Sequence, residues 1–238
     1  RGVAINVNYR YQEEELLYLL DNADCEALVY QACYADRVES IHHKLPNIKC
    51  FIRVDDGTGG AIESDVEYED LVASTDPMPR IERSEEDIYM LYTGGTTGMP
   101  KGVMYAQGQS STGMTMGWAI LGGLDEPPAT PEAIATACAA LTASGSQLIS
   151  LAACPLMHGT GMWIGSMIPH MMGGAVVTIS ELGLDPARIW QEVKRNQVSF
   201  LVIVGDAFAR PLLSELDKAR AEGSPHDISS VLAMMSSG

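Results

Sequence analysis

Residues 92–103 read Tyr-Thr-Gly-Gly-Thr-Thr-Gly-Met-Pro-Lys-Gly-Val. Glycines at 94, 95, 98 and 102 permit backbone conformations that expose successive amide hydrogens, and the hydroxyls of Thr93, Thr96 and Thr97 add donors aimed at a common anion. Lys101 supplies a point positive charge. It is the sole charged side chain between Asp87 and Asp125, so no carboxylate close in sequence opposes a polyphosphate. The combination is that of a phosphate cradle. Its candidate ligands are Thr93, Gly94, Gly95, Thr96, Thr97, Gly98 and Lys101.

Three other readings of this glycine-rich run fail on spacing. A Walker A loop needs glycine directly before its lysine and Ser or Thr after it, whereas Lys101 stands between Pro100 and Gly102. A dinucleotide fingerprint needs Gly-x-Gly-x-x-Gly, which the glycines at 94–102 do not give. A Gly-x-Ser-x-Gly hydrolase elbow is missing too: the nearest run, Gly108-Gln109-Ser110-Ser111-Thr112, lacks its second glycine. A flexible surface turn would require neither Pro100-Lys101-Gly102 nor an apolar strand leading in.

The elements that must hold this loop follow from the alternation of apolar runs of strand length with longer periodic stretches, the pattern of βα units on a mainly parallel sheet. An α/β fold with flanking helices is therefore expected. Strands are expected at 3–7, 27–30, 50–54, 88–92, 148–152, 175–180, 199–204 and 231–234. Helices are expected at 13–22, with acids in its first turn, and at 35–44, 67–73, 104–121, 162–171, 186–196 and 206–222, Asp206 being placed as an N-cap. Residues 124–146, with Pro127, Pro128 and Pro131, read as an insertion carrying an Ala-rich helix.

The chain has 238 residues, 46% hydrophobic, enough for a sizeable globular core. Its net charge of −16 argues against nucleic acid or an anionic membrane as partner. The charge is unevenly spread, with 20 acidic and 8 basic side chains in residues 1–90. The sequence thus divides into an acidic βα segment, 1–90, and a second segment, 91–238, with the loop. Five cysteines without a C-x-x-C pair fit reduced thiols and a cytoplasmic location, and His42-His43 matches no common metal spacing. The apolar stretch 159–179 is interrupted by five glycines and by Pro169-His170, so it reads as a buried helix, a turn and a strand, with no transmembrane segment. The opening Arg1-Gly2-Val3, without an initiator Met, reads as an internal start.

Nearly position for position, residues 92–103 resemble the signature loop of the adenylate-forming superfamily, Tyr-Thr-Ser-Gly-Thr-Thr-Gly-x-Pro-Lys-Gly-Val, as found in acyl-CoA synthetases. Gly94 replaces the usual Ser, which removes one hydroxyl donor. Residues 2–30 look like the segment upstream of that loop. Pro155-Leu156-Met157-His158-Gly159-Thr160-Gly161 is similar to a downstream Pro-Leu-x-His-x-x-Gly element. On chemistry alone, His158 is open between a histidine satisfied at a strand end and a site residue. The resemblance places His158 and Gly159 at the border of an acyl-binding pocket.

The resemblance implies a partial N-terminal adenylation domain of a ligase acting on a small-molecule carboxylic acid, fatty or otherwise acyl. Mg-ATP gives acyl-adenylate and pyrophosphate, and coenzyme A then displaces AMP. No catalytic nucleophile is expected within 1–238. The resemblance also implies elements beyond this chain: a Tyr-Gly-x-Thr-Glu stretch with a metal-binding Glu, a ribose-binding Asp and a C-terminal domain with a catalytic Lys. Two alternatives stay open at the level of sequence. One is a peptide-synthetase adenylation domain or luciferase-like enzyme, which shares this half of the fold; the other is a non-catalytic phosphate-binding module, which Gly94 favours. Oligomeric state and the acid's identity are not encoded in these motifs.

Overall fold

In the computed structural model, which describes residues 2–93, 99–180 and 183–237, the chain divides into two units, Arg1–Tyr105 and Ala106–Gly238. In the first, helix α1 (Glu13–Asn22) opens where the Gln12 N–H donates to Glu15 Oε2 at 3.0 Å, and acids at 13, 14 and 15 fill its first turn, as the helix dipole favours. Strand β1 (Ala27–Gln31), α2 (Ala35–Ile41) and β2 (Cys50–Val54) follow. Strand β3 (Asp65–Glu67) leads into α3 (Tyr68–Ser74), whose cap is Glu67, accepting from the Asp70 N–H at 2.9 Å. The three strands pair in parallel in the order β1-β2-β3. One face buries Leu28, Tyr30 and Phe51 against Leu19, Leu20, Val38 and Ile41.

Residues 72–86 are exposed throughout, and 75–87 join no helix or strand. Beyond them β4 (Ile88–Thr93) and β5 (Lys101–Ala106) form a separate two-stranded sheet. The strand expected at 3–7 shrinks to one parallel bridge between Ile5 and Met90. The helix expected from 104 begins later, at Gln107, because Gly102, Val103, Met104 and Tyr105 continue the β5 pairing first.

In the second unit, α4 (Gln107–Gly122) ends at Gly123 in the left-handed region (φ +62°), and α5 (Pro131–Ser144) is the Ala-rich helix foreseen, capped by Thr130 Oγ1. Then come β6 (Ile149–Ala152), a π-helical segment (Thr160–Met167) continuing as α6 (Ile168–Met171), β7 (Ala175–Val177), α7 (Pro186–Asn196), β8 (Phe200–Ile203), α8 (Gly205–Ala221) and β9 (Ala233–Ser236). All four strands are parallel, in the order β7-β6-β8-β9. The mainly parallel α/β architecture expected from sequence is thus present.

Strand β8 shows how the layers are built. Phe200 and Val202 point to one face, where they meet Cys154 and, on the π-helical segment, Ile164. Leu201 and Ile203 point to the other and pack with Ile189, Trp190 and Val193 of α7 and Leu212 of α8. Helices therefore cover both faces, as a buried parallel sheet requires.

Candidate functional site

In the first unit, Thr93 is the last residue of β4 and Lys101 the first of β5, so two of the seven predicted phosphate ligands stand at the ends of paired strands. Both are exposed. Gly94, Gly95, Thr96, Thr97 and Gly98 lie outside the described residues. Leu91, two residues before Thr93, is buried, and so is Pro100, immediately before Lys101.

The second unit carries His158 and Gly159, and its sheet order shows where its crevice must be. From β6 the chain moves to β7 through the π-helical segment on one face. From β8 it moves in the opposite direction to β9 through α8 on the other face. The connections leaving the carboxyl ends of β6 and β8 therefore diverge, which is the topological switch point where open α/β sheets bind ligands.

The loop after β6 is the one with His158. Its side chain is exposed, its N–H donates to the Pro155 carbonyl at 3.0 Å, and its own carbonyl accepts from the Met162 N–H at 2.9 Å. Gly159 precedes the first residue of the π-helical segment. Gly161 allows that segment to pass close over the loop, since a Cβ there would lie 2.6 Å from the Pro155 carbonyl oxygen. At Gly165 a Cβ would lie 2.7 Å from Cβ of Ala152. The buried Ser150 hydroxyl donates to the Gly165 carbonyl at 2.8 Å, fixing the segment to β6. π-Helical turns are uncommon and concentrate at functional sites.

Gly205, Ser236 and Ser237 stand at this edge too, although nothing in their local sequence marks them. Thr160 Oγ1, buried, is hydrogen-bonded to Ser237 Oγ, and the Gly205 N–H donates to Ser236 Oγ at 3.0 Å. Gly205 (φ +58°), Ser236 and Ser237 follow or end β8 and β9, and only parallel pairing brings them to the loop after β6. The expected N-cap role of Asp206 is not what the chain does. The left-handed turn at Gly205 starts α8 one residue earlier, with Val204 at the cap position. Asp206 sits in the first turn, its Oδ2 accepting from Arg210 Nε at 3.1 Å and Nη2 at 2.8 Å.

Cys154, one residue before Pro155, is buried, and burial pushes its thiol up to about 11. It is inert core rather than a nucleophile. All five cysteines are free, and among the described residues no group of three His, Cys, Asp or Glu could hold a metal ion. Among the same residues no helix is long and apolar enough to cross a membrane.

The family model described as AMP-binding enzyme matches residues 1–238. A 3-oxocholest-4-en-26-oate–CoA ligase of Rhodococcus rhodochrous is 34% identical over 251 aligned residues, which cover all of this chain and 42% of the ligase. A medium/long-chain-fatty-acid–CoA/3-oxocholest-4-en-26-oate–CoA ligase of Mycolicibacterium smegmatis is also 34% identical, covering 99% of this chain and 42% of its own length. Among solved structures, the anthranilate–CoA ligase AuaEII in complex with anthranoyl-AMP superposes with a TM-score of 0.75 at 18% identity, over 98% of this chain and 40% of that one. ATP-bound MatB from Rhodopseudomonas palustris superposes with a TM-score of 0.66 at 19% identity, over 99% of this chain and 39% of that one. The chain thus spans about two fifths of the length of these relatives.

Proposed function

This chain belongs to the AMP-binding enzyme family, and from that premise we propose that it forms part of the N-terminal adenylation domain of a cytoplasmic ligase. The ligase activates a hydrophobic carboxylic acid with ATP and transfers the acyl group to coenzyme A. The observation that carries the proposal is the placement of Thr93 and Lys101 at the ends of paired strands, on either side of the Gly/Thr run 94–98.

In the first half-reaction a carboxylate oxygen attacks the α-phosphorus of Mg-ATP. The bond from that phosphorus to the α,β-bridging oxygen breaks, giving acyl-AMP and pyrophosphate. In the second, the thiolate of coenzyme A attacks the acyl carbon and the C–O bond to AMP breaks. Magnesium enters with ATP as part of the substrate. Thr93, Gly94, Gly95, Thr96, Thr97, Gly98 and Lys101 hold the β- and γ-phosphates in line and offset the charge gathering on the pyrophosphate leaving group. His158 and Gly159 border the acyl group at the carboxyl edge of the second sheet, together with Thr160, Gly205, Ser236 and Ser237. The apolar residues Met162, Trp163, Ile164 and Met167 of the π-helical segment, and the fatty and steroid acids on which the relatives act, both support an acid with a large hydrocarbon part.

The test is ATP–pyrophosphate exchange by the full-length protein with medium-chain, long-chain and steroid side-chain acids. Acid-dependent exchange is expected, falling at least about 100-fold in Thr96→Val/Lys101→Ala, the loss of two charge-directed donors. Exchange that is untouched by that double substitution would remove the phosphate loop from the mechanism.

A further inference from the structure

Tyr92, the penultimate residue of β4, touches three elements at once. Its hydroxyl donates at 2.7 Å to Oδ1 of Asn22, the last residue of α1. Its ring covers Gly102, the second residue of β5: a Cβ at Gly102 would lie 2.9 Å from Tyr92 Cε2, 3.0 Å from its Cζ and 3.1 Å from Met90 Sδ. The ring also packs, partly buried, against the core of the first unit. Burial, followed by the influence of Tyr18, Cys25 and Asp24, pushes the phenol up, so it stays a neutral donor. Thr93 is the next residue along β4, and Lys101 precedes Gly102, so this one side chain braces both ends of the run 94–100 against a helix far away in sequence.

We propose that Tyr92 is a positioning residue that sets Lys101 relative to Thr93 for phosphate binding, with Asn22 as its anchor and the bare backbone of Gly102 as its seat. The proposal rests on the reading of Lys101 as a phosphate ligand. Lysine is a flexible point charge on a four-carbon stem, and its worth to ATP depends on how much freedom its backbone has lost before ATP arrives. Bracing β5 from α1 through the Tyr92 ring removes that freedom in advance. A smaller side chain at 92 or a larger one at 102 returns it.

The experiment measures KM for ATP and kcat for ATP–pyrophosphate exchange in the full-length protein, with melting temperature recorded for every variant. Tyr92→Phe and Asn22→Ala are each expected to raise KM for ATP about three- to ten-fold with kcat within about two-fold, as suits one lost hydrogen bond acting on binding. The double variant is expected to be no worse than either single one, because both remove the same bond. Gly102→Ala is expected to raise KM further, because the added Cβ would meet Tyr92 Cε2 at 2.9 Å and unseat the ring. Asn22 is exposed at a helix end, so Asn22→Ala reads the bond without disturbing the core. If Lys101→Ala weakens ATP use while Tyr92→Phe and Asn22→Ala leave KM unmoved, or lower only the melting temperature, the positioning role is wrong. If Lys101→Ala itself changes neither KM nor kcat, the phosphate reading fails and the positioning role falls with it.

Discussion

At position 192 a carboxylate is 6% exposed yet well placed, because donors converge on it: Arg188 Nη2 at 2.9 Å and Arg195 Nη1 at 3.3 Å on one oxygen, Asn196 Nδ2 at 2.6 Å on the other. Glu192→Ala leaves the Asn196 amide without its carboxylate partner and two guanidiniums that can turn to water, so a loss of about 2 kcal/mol in urea unfolding is expected. Cys154 gives a prediction in pH. Burial raises its thiol from an ordinary value of 9.0 to about 11, so the folded state holds that proton more tightly than the unfolded one. Its contribution is complete below pH 9 and is lost as pH rises to about 11. Cys154→Ala should flatten the fall in stability between those values, and Cys154 should resist iodoacetamide at pH 8 in intact-protein mass measurements. Legibility in sequence divides residues the same way. Thr93 and Lys101 could be singled out as phosphate-ligand candidates because a hydroxyl and a cation eight positions apart, with glycines between, suit that chemistry. Ser236 and Gly205 were not, because a serine hydroxyl and a glycine amide gain meaning only when parallel pairing brings 205 and 236 within 3.0 Å.

Among the elements, α1 and α7 matched their expected limits, since both ends of each are marked locally. Helix α7 opens with Asp185 accepting from the Arg188 N–H at 3.1 Å and Pro186 at its first position, and closes at Gln197 in the left-handed region (φ 52°). Asp185→Ala is expected to cost about 1 kcal/mol of stability in chemical denaturation, the usual worth of an N-cap. The segment 104–121 was misread at its start because Val103, Met104 and Tyr105 have no periodicity that separates a strand from a buried helix. Nor does any local signal distinguish a π-helical from an α-helical run at 160–167. Its contact with β6 depends on the missing Cβ of Gly165, so Gly165→Ala should destabilise by about 1–3 kcal/mol, and Ala152→Gly in the same chain should restore most of it.

Over the whole molecule, charge and exposure concentrate in the first unit and apolar parallel pairing in the second. The exposed run 72–86 contains Arg80 and Arg83 and belongs to no helix or strand beyond Ser74. Limited trypsin digestion followed by mass spectrometry should therefore cut first after those two arginines, ahead of sites inside α7 or α8. The division into parallel layers was legible because βα alternation repeats along the chain; the order β7-β6-β8-β9 was not, because no local signal states which strand a newcomer will flank. That order also sets a timetable for synthesis. Strand β6 meets β8 through pairs such as Ser150 with Phe200, and the Ile149–Ser199 contact spans 50 residues. At a translation rate of roughly 5–20 residues per second, β6 waits several seconds beside the ribosome before its inner neighbour exists. A slow codon run between 153 and 199 would lengthen that wait and with it the time a nascent apolar strand is open to capture by chaperones or by another copy of itself.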